Sequence, residues 1–188
     1  MSYEFADGYQ IRNQSATHYL TFSIEGWVEL FSRKIYKDLI IESFAHCQKN
    51  KNLCIHAFVI MTNHVHTLWT AKNNNLSDVI RDFKTYTSKS FIKIINETPE
   101  SRREWLLYMF SFYARQTVAN KQYKIWTNDN HPEEIFSQDF FYQKLQYIHE
   151  NPVRAGIVFE GIDYIYSSAT NYANQKSVFN VDFLWCLC

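Results

Sequence analysis

Apolar and polar residues alternate along residues 17–24, with Tyr19, Thr21 and Ser23 on one side and Leu20, Phe22 and Ile24 on the other. This period of two predicts a first strand with Leu20, Phe22 and Ile24 toward the core. The period then lengthens. Ile35, Leu39, Ile40, Phe44 and Ala45 recur at helical spacing up to the polar stop Lys49-Asn50-Lys51, with Ser32 as the expected N-cap. Residues 53–61 and 64–70 are two further strand-like runs, and Thr62-Asn63 between them predicts the turn of a hairpin. Asn73-Asn74-Asn75 marks another turn, after which Leu76, Ile80, Phe83, Thr87, Phe91 and Ile94 form the apolar stripe of a long helix. Residues 99–118 read as a helix with Pro99 near its first turn, and residues 123–126 as a short strand or extended loop. A final helix spans 137–150 and is expected to end at Asn151-Pro152, because a residue before proline is pushed out of the helical region. Strands separated by helices, with one hairpin at the centre, predict an α+β fold: an antiparallel sheet with helices packed on one face.

The second arm of the hairpin carries chemistry. On a strand, residues i and i+2 share a face, so the imidazoles of His64 and His66 aim at one point while Val65 turns into the core, where Leu68 is expected to join it. A lone His-x-His also describes two hydrogen-bonded surface groups, so the pair needs company. The last helix supplies it. Stepping about 100° per residue, Phe141, Leu145 and Ile148 form the buried stripe, while Tyr147 and Asn151 share a flank at i and i+4 with Lys144 three residues before Tyr147. A tyrosine phenol is a competent nucleophile toward a phosphodiester when a nearby cation polarises the phosphate. The Asn151 carboxamide oxygen offers a third, hard ligand beside the two imidazoles. His149 lies about 160° around the helix from Tyr147 and falls outside this group. Arg81, Lys84, Lys89 and Lys93 line the long helix and, with Lys144, are candidate phosphate contacts, although a solvated helix face has the same pattern.

Composition narrows the classes. A chain of 188 residues with 46% hydrophobic content and no Pro/Gly/Ser-rich linker predicts one domain over residues 1–188. Nineteen basic and 19 acidic side chains argue against a broad grip on nucleic-acid backbone but leave room for a local basic face. Aromatics reach 18%, more than such a core needs, so some are available to stack on unpaired bases. The N-terminus lacks a signal peptide's basic start, and no apolar run reaches membrane length, so a cytoplasmic protein with no membrane partner is expected. Cys47, Cys54, Cys186 and Cys188 form no Cys-x-x-Cys and read as free thiols, with Cys186 and Cys188 a minor candidate metal pair.

Four segments together resemble a known family: Met61 to His66, Leu76 to Ser88, Trp126 to His131, and Gln146 to Ile157, with Tyr164 to Tyr172 adding a fifth. The chain resembles the single-tyrosine HUH transposases, most closely the REP-associated, IS200-like tyrosine transposases, over about residues 15–173. The resemblance implies a ferredoxin-like antiparallel sheet with the histidine pair on a central strand and a nucleophilic tyrosine in a Tyr-x-x-x-Asn frame, here Tyr147 and Asn151. It implies a transposase that cleaves single-stranded DNA near hairpins with a divalent metal, magnesium or manganese, and no nucleotide cofactor. The tyrosine becomes joined to the 5′ phosphate and a 3′ hydroxyl is released. Relatives occur as monomers and as homodimers that share active sites, so the resemblance leaves both open. Residues 99–122 exceed the short connection of minimal members and stand as an insertion bearing on target choice. Two rivals remain: a hairpin-DNA-binding protein that no longer cuts, and a zinc hydrolase built on His56, His64 and His66.

Overall fold

The structure is a computed structural model, described here for residues 10–117 and 122–184. Its centre is a four-stranded antiparallel sheet in the order β2-β3-β1-β4, formed by β1 (His18–Ser23), β2 (Leu53–Ile60), β3 (His64–Ala71) and β4 (Glu133–Glu134). Helices α1 (Lys34–Asn50) and α2 (Leu76–Glu97) are the crossovers, α3 (Arg103–Arg115) follows, α4 (Gln138–Arg154) comes after β4, and α5 (Ala169–Tyr172) is one short turn. The α+β antiparallel architecture and its ferredoxin-like strand order match the sequence expectation.

The alternation of β1 and β3 divides the sheet into two unlike faces. Phe22 and Trp69 pack with ring centroids 5.0 Å apart, and Phe44 of α1 and Phe83 of α2 close over Trp69 at 5.8 and 5.3 Å. Each such ring fully withdrawn from water contributes roughly 1.5–3 kcal/mol, so this aromatic layer is the main store of stability. Trp126 joins it with its Nε1–H donating to Thr87 Oγ1 at 2.9 Å, which leaves that polar atom satisfied inside the core. Tyr19, Thr21, His64 and His66 point the other way, and α4 lies across them.

Helices therefore cover both faces: α1 and α2 on the aromatic side, as expected, and α4 on the histidine side. Leu68 follows from this. The unbroken register Tyr19↔Leu68 and Thr21↔His66 puts Leu68 on the histidine face rather than with Val65, and α4 buries it there.

Several boundaries differ from their sequence signals. Ser32 does not cap α1; its hydroxyl donates back to Glu29 O inside a short 3-10 turn, and the helix starts at Lys34. Pro99 precedes α3, which begins at Arg103 after a turn built on Glu100. The expected stripe of α2 is buried except that Ile95 rather than Ile94 is fully inside, together with Val79. Most informative is the end of α4, which runs through Asn151 and Pro152 to Arg154. A proline one turn from a helix end sacrifices a single N–H bond. Termination comes from Gly156 at φ 69°, with Gly156 N–H donating to Val153 O and Ile157 N–H to Pro152 O, both at 2.9 Å. Ser137 caps the other end as its sequence position suggests, accepting from Phe140 N–H at 3.2 Å.

Residues 123–126 are extended and bridge Ile24 through Trp126. Cys47 and Cys54 are buried free thiols, while Cys186, Cys188 and residue 118 lie outside the described residues. Among the described residues no helix is long and apolar enough to cross a membrane.

Candidate active site

His64 opens β3 directly after the turn, and its Nδ1–H donates to Asn63 Oδ1 at 2.6 Å. With Nδ1 so engaged, Nε2 is the ring atom left toward Asn151, whose carboxamide opposes the lowering of the His64 pKa by burial. His66 is 6% exposed, and its Nδ1 meets two hydroxyls of β1, Tyr19 Oη at 2.7 Å and Thr21 Oγ1 at 2.9 Å. His66 is closed off from solvent, while His64 is half-buried. Burial lowers the His64 pKa and, reinforced by the charges of His64 and Lys144, pulls that of His66 down to about 3. Both rings are thus neutral at physiological pH, and neutral imidazoles keep the lone pair a metal requires.

Tyr147 projects from α4 onto this pair. Its ring is 5.4 Å from that of His66 and 6.1 Å from that of Tyr19, both edge-on, and it remains 37% exposed. The Arg154 guanidinium sits 5.2 Å from the Tyr147 ring centroid. Lys144, one turn earlier, is held against the Tyr19 ring at 4.5 Å and paired with Glu133 at 2.6 Å. The predicted set Tyr147, Asn151, His64 and His66 therefore meets in one place, with Lys144 at its edge.

The other basic candidates go elsewhere. Arg81, Lys84 and Lys89 line a groove of about 600 Å³ between α2 and residues 123–130, behind β1 from the histidines. Arg81 is tied to Asp78 and Asp82; Lys84 donates to Thr127 O at 2.8 Å, and burial pushes its pKa down to about 8. Lys93 lies 3.9 Å from Glu97, off this groove. Tyr86, exposed on α2, stacks on His46 of α1 and is on the wrong side of the sheet for the histidine pair. His149 turns away as its helical angle requires and contacts Ser168 Oγ at 2.9 Å.

Three partners were not singled out from sequence: Tyr19 and Thr21 behind His66, and Arg154 beside Tyr147. The alternation of residues 17–24 does put Tyr19 and Thr21 on a polar face. What sequence lacks is the register that brings that face against His66.

The donor set fits a divalent ion held at an open site: two neutral imidazoles and a carboxamide, with no third imidazole or carboxylate. Among the described residues no group of three or more His, Cys, Asp or Glu could hold a metal. The zinc-hydrolase alternative fails on His56, whose two ring nitrogens are engaged by Asp182 O at 2.6 Å and Thr70 Oγ1 at 2.8 Å.

A family model described as IS200-like transposase matches residues 20–144. Among solved structures, the fold is similar to that of a REP-associated tyrosine transposase bound to a REP hairpin, with a TM-score of 0.63, 16% sequence identity and 95% of each chain covered. A search of curated proteins finds no match. The family match includes His64 and His66 and stops three residues before Tyr147.

Proposed function

Because the chain belongs to the IS200-like transposase family, we propose that it is a metal-dependent single-stranded DNA endonuclease and strand transferase, cutting beside hairpins through a 5′-phosphotyrosine intermediate. The observation that carries this reading is the meeting of Tyr147 with His66 at 5.4 Å, between two motifs some eighty residues apart. The REP hairpin held by the structural neighbour supports a hairpin-bearing strand as the partner. A cytoplasmic setting suits that partner.

In this reaction the Tyr147 phenol gives up its proton and its oxygen attacks the phosphorus. The P–O3′ bond breaks, leaving the 5′ phosphate on Tyr147 and a free 3′ hydroxyl. Arg154, stacked on the Tyr147 ring, holds the phenol in place. Tyr19 and Thr21 fix the His66 ring through Nδ1, and Asn63 fixes His64 in the same way. His64, His66 and Asn151 would hold magnesium or manganese, which when bound supplies positive charge to the phosphate oxygens. Of these groups His66 is the one buried from water, 6% exposed. The remaining basic candidates, Arg81, Lys84 and Lys89, suit backbone contacts away from the cut, with Lys93 beyond them.

The rival reading, a hairpin binder that no longer cuts, has one observation on its side: the family match ends at residue 144, short of Tyr147. One experiment separates them. Single strands with hairpins, drawn from the DNA flanking the gene, are incubated with protein and manganese, and the product is digested for mass spectrometry. A nucleotide-bearing peptide containing Tyr147 is expected. Tight binding with no covalent product on any strand would establish the silent binder instead.

A further inference from the structure

Trp27 is the oddest residue near the site. It is 70% exposed, although tryptophan is the largest apolar side chain, and its backbone lies at φ 56°, a left-handed conformation costly for a bulky residue. Gly26 before it is also left-handed at φ 61°. Two consecutive residues of this kind turn the chain sharply just past β1 and throw the indole outward.

The turn is braced, which is why the strain persists. A Cβ on Gly26 would stand 2.4 Å from the Tyr113 ring, so α3 presses directly on the backbone at this point. Arg102 donates to Glu29 O at 3.0 Å and to Ser32 Oγ at 3.1 Å, and Lys124 pairs with Glu25. All three clamps come from the 99–124 region. The turn is also wired to the site. Asn63 donates through Nδ2 to Trp27 O at 3.4 Å and accepts from His64 Nδ1 at 2.6 Å, so one amide holds both the exposed indole's backbone and a metal-binding candidate.

A strained, well-supported, solvent-facing indole beside a phosphodiester site has one occupant of matching chemistry. Resting on the reading of that site given above, we propose that Trp27 is a stacking platform for an unpaired base of the bound strand next to the scissile phosphate, and that α3 and the residues flanking it hold it there. Stacking tolerates any base, so the platform grips and positions the strand without reading it, and prefers single strands because a duplex hides its base faces.

The test places 2-aminopurine, in turn, at each position flanking the cut in a hairpin-bearing strand, bound to protein with Tyr147→Phe so that no turnover intervenes. At one position the fluorescence is expected to be quenched on binding, to recover with Trp27→Ala, and to stay quenched with Trp27→Phe. Trp27→Ala should weaken binding of the intact strand by about tenfold, the low end of what stacking one base is worth. It should leave binding of a strand with an abasic residue at that position unchanged. Gly26→Ala, which keeps the indole but displaces its brace, should weaken the intact strand in the same position-specific way. Equal losses on intact and abasic strands, or no position quenched by Trp27, overturns the proposal. Adduct formation by the wild-type protein on the same strand keeps the two ideas apart: an adduct on Tyr147 with no role for Trp27 defeats only the platform, and no adduct on any strand defeats the site reading and the platform with it.

Discussion

The two faces of the sheet are made by the same strands and have opposite chemistry. On the α1/α2 side, Phe22, Trp69, Phe44 and Phe83 pack ring against ring in stacked, tilted and edge-on pairs, and the Trp69 indole N–H is buried among them without a hydrogen-bond partner. On the α4 side, one residue out of step along the same backbone, Tyr19 and His66 are buried and Thr21 half-buried, and the three are hydrogen-bonded to one another. Burying that polar layer costs stability, and the hydrogen bonds offset the cost without profit. The aromatic face can therefore be read as what keeps the chain folded, and the polar face as what the fold is kept for.

That division breaks if a change on one face acts like a change on the other. The largest expected effect is on chemistry alone: Tyr147→Phe should remove adduct formation to background, a loss on the order of 10⁴-fold or more, with the melting temperature and hairpin binding unchanged. Tyr86→Phe, across the sheet, should still form the adduct. His64→Ala and His66→Ala should each abolish cleavage while binding, followed by fluorescence anisotropy, survives; Asn151→Ala should be milder, because water can replace a neutral oxygen ligand. Cutting at the wild-type rate in either histidine variant would refute the assignment of the polar face. Phe83→Ala tests the opposite side: it should cost about 3–5 kcal/mol in denaturant unfolding and, where the chain remains folded, leave the cleavage rate near wild type.

The smallest effect concerns a charge on the aromatic side. Lys84 lies over the Phe22 ring with Asp129, Glu25 and Lys124 around it, and burial lowers its pKa from 10.5 to about 8. Between those values the unfolded chain carries a proton that the folded chain has lost, so stability should rise as pH increases through that window. Lys84→Met should flatten the rise by on the order of 1–2 kcal/mol, read from unfolding curves at pH 8 and 10. An unchanged slope would mean that Lys84 keeps its charge.

Much of this arrangement was legible beforehand, for reasons tied to period. The hairpin, the shared face of His64 and His66, and the i, i+4 pairing of Tyr147 with Asn151 all depend on spacing within one element, which sequence states directly. The covering of the second face by α4 depends on where a helix docks, and no local pattern encodes it; strand alternation alone sets Leu68 on the histidine face, two residues after His66, and what the docking of α4 adds is a cover for that face. Pro152 reads as a stop in sequence, whereas α4 runs through it and stops at the left-handed Gly156. Strand β4 is two residues long and too short to leave a pattern. Trp27 was passed over because exposure of a lone aromatic is invisible until the turn around it is known.

The position of α4 also fixes a stoichiometry. Because Tyr147 lies against the histidines of its own chain, the proposed reaction is expected to need no residue lent by a second copy. The rate per molecule should then be indifferent to dilution. Mixing His66→Ala protein with Tyr147→Phe protein should restore nothing, since each chain lacks a different half of a site that is never divided between two; recovered cleavage in that mixture would show instead that helices are exchanged between copies.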